Sequence, residues 1–248
     1  MLRIPRTALL TTFALAIGAS GCAENESSLF IEGVLSLSTS DCVARPDAQA
    51  EFLAQGVLDY AFAEGYVAAV QVGNQLTQQG NRDKIRTETS RIHLQGVTGS
   101  VFDVGGGETD FEAIGTGFVH PAAGTTPGLA AMFVNLVDAD SLSAIEAGGE
   151  GLIVVRFRVY GTTLGGKEIE SGDFDYPIFV CNGCLVNYPA SAYDPASPVG
   201  TYLCGQTVET TTEEEKICFY GQDQRFSCSA CAGFDPICRD PTLNPWNQ

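Results

Sequence analysis

Several stretches of this chain alternate apolar and polar residues with period two, the pattern of a strand with one face on a core and the other in water. Leu58, Tyr60 and Phe62 share one face, Ala63, Glu64 and Gly65 read as a turn, and Tyr66, Ala68, Val70 and Val72 share a face again, which predicts a hairpin. Ile92 and Leu94 alternate with Arg91, His93 and Gln95. Over residues 152–160, Ile153, Val155, Phe157 and Val159 oppose Val154, Arg156, Arg158 and Tyr160. This β-branched and aromatic run is the clearest strand of the chain. A glycine-containing turn at 162–166 leads to weaker strands at 168–170 and 178–181. Residues 132–137 form a further apolar run, and 217–220 a late short strand.

Helical periodicity is scarce. Residues 46–58 (with Phe52, Leu53 and Val57) and 141–147 are the two short candidates, while 102–128, with seven glycines, reads as loop. Seven or more short strands separated by turn signals predict an all-β fold. The expected form is a β-sandwich, Ig-like in the broad sense, with a disulfide-rich, loop-rich C-terminal tail. Inward side chains of two sheets about 10 Å apart would supply its core.

Composition narrows the function classes. With 44% hydrophobic residues in 248, most of the chain can bury a core. Thirteen Lys and Arg against thirty Asp and Glu, a net charge of −17, cannot build the basic footprint that phosphate recognition needs. No nucleic-acid partner is expected.

The first residues read as an address. Arg3 and Arg6 precede an eleven-residue apolar run at 8–18, which spans about half the hydrocarbon thickness of a bilayer and suits a signal-peptide core. Ala19, Ser20 and Gly21 then lead to Cys22. Small residues immediately before a cysteine resemble the lipobox of bacterial lipoproteins, with Ala19 where that family usually has Leu. The resemblance covers residues 1–22, and the rest has the look of uncharacterised envelope lipoproteins. It implies that the Cys22 thiol receives a diacylglyceryl group, that the chain is cut just before it, and that the new amino group is acylated. Ala23, where many inner-membrane lipoproteins carry Asp, implies the outer membrane. The same small residues also suit ordinary secretion, and both readings export the chain. Organisation follows: signal peptide 1–21, lipidated tether 22–40, β-sandwich body 41–185, Pro-rich loop 186–200 and Cys-rich tail 201–248.

Nine cysteines are present, and setting Cys22 aside leaves Cys42, Cys181, Cys184, Cys204, Cys218, Cys228, Cys231 and Cys238. In an oxidising compartment these eight are disulfide candidates, although spacing alone selects no pairing. Three precede the Pro-rich loop and five follow it. Both counts are odd, so complete pairing would send at least one bridge across that loop, linking tail to body. Two C-x-x-C pairs, Cys181/Cys184 and Cys228/Cys231, also suit tetrahedral Zn²⁺ or thiol–disulfide exchange. Their separation is wider than a zinc ribbon uses, and an Asn182–Gly183 turn, not a helix, follows Cys181. Structural disulfides are the expectation, with no metal and no cofactor.

Other chemistry is thinly represented. His93 and His120 are the two histidines, and no G-x-S-x-G, H-E-x-x-H or G-x-x-x-x-G-K-[ST] pattern occurs. Gly105 to Gly107 are ringed by Asp103, Glu108, Asp110 and Glu112, which would repel an anion but offer oxygens to Ca²⁺. Asp138/Asp140 and Asp173/Asp175 are similar, without the full calcium-loop pattern. The acidic run 209–215 reads as an exposed loop, and Trp246 as a cover on the core edge or a frayed end. The expectation is therefore an exported, lipid-anchored envelope protein, a non-catalytic binding or structural module. Its partners would be the membrane, through Cys22, and an envelope protein or polysaccharide. The alternative is a hydrolase or thiol–disulfide exchange enzyme whose site is assembled from distant loops.

Overall fold

The computed structural model describes residues 28–80, 88–189, 204, 216–233, 235–239 and 243–244. The expected leader with Cys22, the acidic run 209–215, Trp246 and most of the Pro-rich loop lie outside them. Two sheets pack face to face. The smaller has the order β2 (Phe52–Leu53), β1 (Leu29–Leu35), β4 (Tyr66–Asn74), β7 (Gly128–Val137). The larger runs β3 (Gly56–Asp59), β10 (Phe174–Cys181), β8 (Gly151–Thr163), β5 (Ile92–Phe102), β6 (Glu108–Val119), with β9 (Glu168–Glu170) also paired to β8. The all-β sandwich expectation holds.

Strand β8 shows why this sequence folds this way. Its inward residues Ile153, Val155, Phe157 and Val159 are fully buried, whereas Arg156 and Arg158 project outward to Asp175 and Asp173. They meet Tyr66, Val70 and Val72 of β4 in one hydrophobic core. The other face of β4 is buried too, because residues 36–51 cross it. There Gln71 Nε2 donates to the Asp47 carbonyl at 2.9 Å, and Gln71 Oε1 accepts from the Asp47 amide at 3.1 Å. A register shift at Gln95 in β5 lets Ile92 and Leu94, then Val97 and Val101, all point inward although their parity changes. One extra residue in a strand has this effect.

Several boundaries differ from the sequence reading. The 22–40 tether is corrected, because residues 29–35 form β1, an interior strand paired on both sides. Residues 46–58 make no helix. They supply β2 and β3, since Leu58 is worth more facing the core than in a short helix. The hairpin joining residues 58–62 to β4 is absent, because β3 pairs in parallel with β10 instead. The 102–128 loop is largely strand: a turn at 103–107, with Gly106 at φ 84°, reverses the chain into β6. The expected helix at 141–147 is present as α1 (Ala139–Gly148), with the Asp138 side chain accepting from the Ser141 amide at its start. Residues 217–220 form bends and a turn, not a strand.

Beyond the body, β11 (Val186–Asn187) pairs in parallel with β12 (Phe226–Ser227), and a short helix α2 (Pro236–Arg239) follows. Leu185, Val186, Phe226 and Ala232 form a second, small core with Cys204, Cys228, Cys231 and Cys238. The eight cysteines form four disulfides, Cys42–Cys218, Cys181–Cys184, Cys204–Cys228 and Cys231–Cys238. Cys42–Cys218 spans the Pro-rich loop, and Lys216 N donates to Thr39 O beside it at 3.1 Å.

Candidate functional site

The densest polar chemistry lies where the tail meets strand β3. Leu58 and Gln222 form a β-bridge, and the Asp59 amide donates to Gly221 O at 2.8 Å. Two carboxylates flank this seam, Asp59 in the interior and Asp223 part-buried. Asp59 is fully buried. It accepts from the amides of Gly183 at 2.6 Å and Leu185 at 3.0 Å, and from Ala61 at 3.2 Å. Burial pushes its carboxyl above the usual range, against the pull of these three donors. Asp59 thus holds the turn after Cys181, in which Gly183 takes φ 80°, a backbone that favours glycine. Asn244 Nδ2 fastens the same turn from the tail by donating to Gly183 O at 2.6 Å.

Asp223 is the second carboxylate. Its Oδ1 accepts from the Val57 amide at 2.8 Å, and its Oδ2 from the Tyr66 hydroxyl at 2.9 Å. Tyr66 spends its one proton there, so Tyr176, 2.9 Å away, donates to the Tyr66 oxygen. Burial raises the Asp223 carboxyl and both phenols, the phenol of Tyr66 also feeling the Asp223 charge. The side chain of Gln222 adds a strand-like pair to Val67, accepting from its amide at 2.9 Å and donating to its carbonyl at 2.6 Å. Beside these residues a cavity of about 160 Å³ opens between residues 218–224 and the Leu35 end of the smaller sheet.

The sequence candidates fall elsewhere or apart. The two C-x-x-C motifs do not converge: Cys181 closes on Cys184, whereas Cys228 pairs with Cys204 and Cys231 with Cys238. The Asp59 carboxylate does lie within 4.8 Å of both sulfurs of the first motif, and those sulfurs are bonded to each other. Cys181 ends a strand and a turn follows it. His93 stacks on Phe118 with ring centroids 4.8 Å apart, and His120 meets Arg91 Nη2 at 2.8 Å. Six of the acids considered for Ca²⁺ have protein partners. Asp103 takes the Gly107 amide, Asp110 the Ser100 hydroxyl and Glu112 the Tyr160 hydroxyl. Asp138 caps α1, while Asp173 and Asp175 face arginines.

Asp59 and Asp223 escaped the sequence reading. A lone acid inside the apolar alternation Leu58-Asp59-Tyr60 was the one available signal. Asp223 has none, since Tyr66 lies 157 residues from it along the chain.

No protein-family model matches the chain, and no curated protein does. Among solved structures, the solution structure of a protein described as late embryogenesis abundant (LEA) shares 10% identity over 50% of this chain and 70% of that one, with a TM-score of 0.30. A likeness of that size bears on neither fold nor function.

Proposed function

We propose that this chain is an exported protein, anchored by lipid on Cys22 to the outer membrane of a cell envelope, where it serves as a non-catalytic binding or structural module. The observation that carries the reading is the cysteine ledger: eight of nine stand in disulfides, and the ninth is Cys22. Four bridges persist where the surroundings are oxidising. A lone cysteine after small residues is the acceptor that lipoproteins use.

Acylation suits the charge. Cleavage before Cys22 removes Arg3 and Arg6 and leaves the thirty acids, so anionic head groups repel the body. Each buried CH₂ of an acyl chain contributes ~0.8 kcal/mol, and several chains hold the protein without any contact between body and lipid. Because β1 begins at Leu29, the link from Cys22 reaches no more than about 25 Å. The partner in this reading is an envelope protein or polysaccharide at the surface of the sandwich or its tail.

Mass spectrometry of the mature N-terminus, with a non-reduced peptide map, tests it. The expected result is an acylated Cys22, residues 1–21 gone, and a crosslink joining the Cys42 and Cys218 peptides. Met1 or Leu2 still in place, with reduced thiols, would overturn it.

A further inference from the structure

The cavity beside Asp223 is built unlike a packing gap. Val34, Leu53 and Ala69 give it aliphatic walls, Phe219 an aromatic one, and Tyr66 and Asp223 a polar floor. Its volume, about 160 Å³, resembles cavities of ~150 Å³ that accept a ligand of about six non-hydrogen atoms. Apolar walls with a few converging polar groups are the general make-up of a small-molecule site.

The charge in it is uncompensated. Asp223 is the one carboxylic acid among the described residues lining the cavity, and no Lys, Arg or His joins it there. Its hydrogen-bond donors are an amide, a phenol and a carboxamide, all neutral. A part-buried carboxylate without a cation beside it favours a ligand that brings one. The raised carboxyl of Asp223 has burial as its main cause, consistent with that deficit. Thirty acids against thirteen bases also draw cations toward the surface and turn anions away.

The walls are fixed in advance. Cys42–Cys218 pins the start of the 218–224 arm. Cys42 and Asp223 both hold left-handed backbone, at φ 57° and 58°. Such positions are uncommon outside glycine and gather at ligand clamps.

We propose that this cavity binds a small organic cation, a primary alkylammonium whose head sits on the Asp223 carboxylate and whose chain lies along Val34, Leu53 and Ala69. The inference deepens the binding-module reading and rests on it, but it does not depend on the lipid anchor.

The test titrates the full chain, disulfides intact, with n-butylammonium, n-butanol and butyrate, followed by amide NMR shifts. Butylammonium should give saturable millimolar shifts confined to residues 34–39, 66–69 and 218–224. Butanol should bind at least about tenfold more weakly, because the charge-assisted contact is missing, and butyrate not at all. Asp223→Asn should weaken the ammonium by a similar factor. Since that change also touches the arm, Leu53→Trp on the edge strand provides a second block, filling the cavity from the side. Equal affinity for butanol, or ammonium binding unchanged in both variants, overturns the proposal, as does wild-type protein without saturable shifts. Absence of ammonium binding with lipid present on Cys22 removes this inference and leaves the envelope reading standing. Absence of the lipid with ammonium bound does the reverse.

Discussion

The sandwich and the tail solve the same problem with different means. In the sandwich, Phe157, Ile153, Tyr176 and their neighbours are withdrawn from water by two sheets, and one continuous core results. In the tail, four of the eight buried core residues are half-cystines, and regular structure among the described residues is limited to two-residue strands, a three-residue 3-10 helix and a four-residue helix. A segment that small buries too little apolar surface to offset its chain entropy, so covalent bridges supply what area does not. The sandwich is thus a product of hydrophobic periodicity, and the tail a product of oxidation.

Three experiments would break or sharpen that contrast. The largest effect should come from Phe157→Ala, which empties the centre of the main core. A loss of about 3–5 kcal/mol is expected in urea unfolding, with the tail unfolding alongside because β3 and β10 are its platform. Tail-reporting amides that survive the loss of the sandwich would refute the dependence. Replacing Cys204 and Cys228 together by alanine should cost the tail about 2–4 kcal/mol. Hydrogen exchange should then rise at Phe226 and Cys231 while β8 and β5 stay protected. Equal deprotection in β8 would make the two regions one cooperative unit.

The smallest effect concerns pH at the seam. Asp59 and Asp223 have folded-state carboxyls raised by burial, so the folded state holds their protons more tightly than the unfolded chain does. Their contribution is fully present below the unfolded value of about 3.9 and is lost as pH rises through the raised folded value. On the sandwich surface the sign reverses. Asp138 is held low by the Ser141 amide and Asp175 by Arg156, and what they contribute is lost on acidification. Asp223→Asn, which does not titrate, should therefore gain stability relative to the parent between pH 4 and pH 7. Parallel curves for the two proteins would show that burial of this carboxylate does not govern the seam.

How much of this was legible follows the same division. Strand β8 could be read directly, because inward and outward residues alternate without interruption and each side has one environment. Strand β5 was half legible, since the bulge at Gln95 changes the parity of its inward residues. Strand β6 was hidden by composition: Glu108, Asp110 and Glu112 mark an exposed edge face, and Gly115 sits where a side chain would collide with Met132 and Val134. Gly115 records close approach to β7, not a loop. Strand β1 was masked by its nearness to the apolar run at 8–18 and Cys22, which drew residues 22–40 into an expected tether. At the seam the lone acid in Leu58-Asp59-Tyr60 was the one trace, because two of the amides that hold Asp59 sit 124 and 126 residues downstream. Contacts at that separation leave no periodic trace.

Strand β1 finally gives the molecule a polarity. It starts at Leu29, opposite Asn74, and ends at Leu35, beside β2 and the mouth of the Asp223 cavity. Under the proposed anchoring at Cys22, a leash would pull on the Leu29 end, which places the point of attachment at the opposite end of the strand from the cavity.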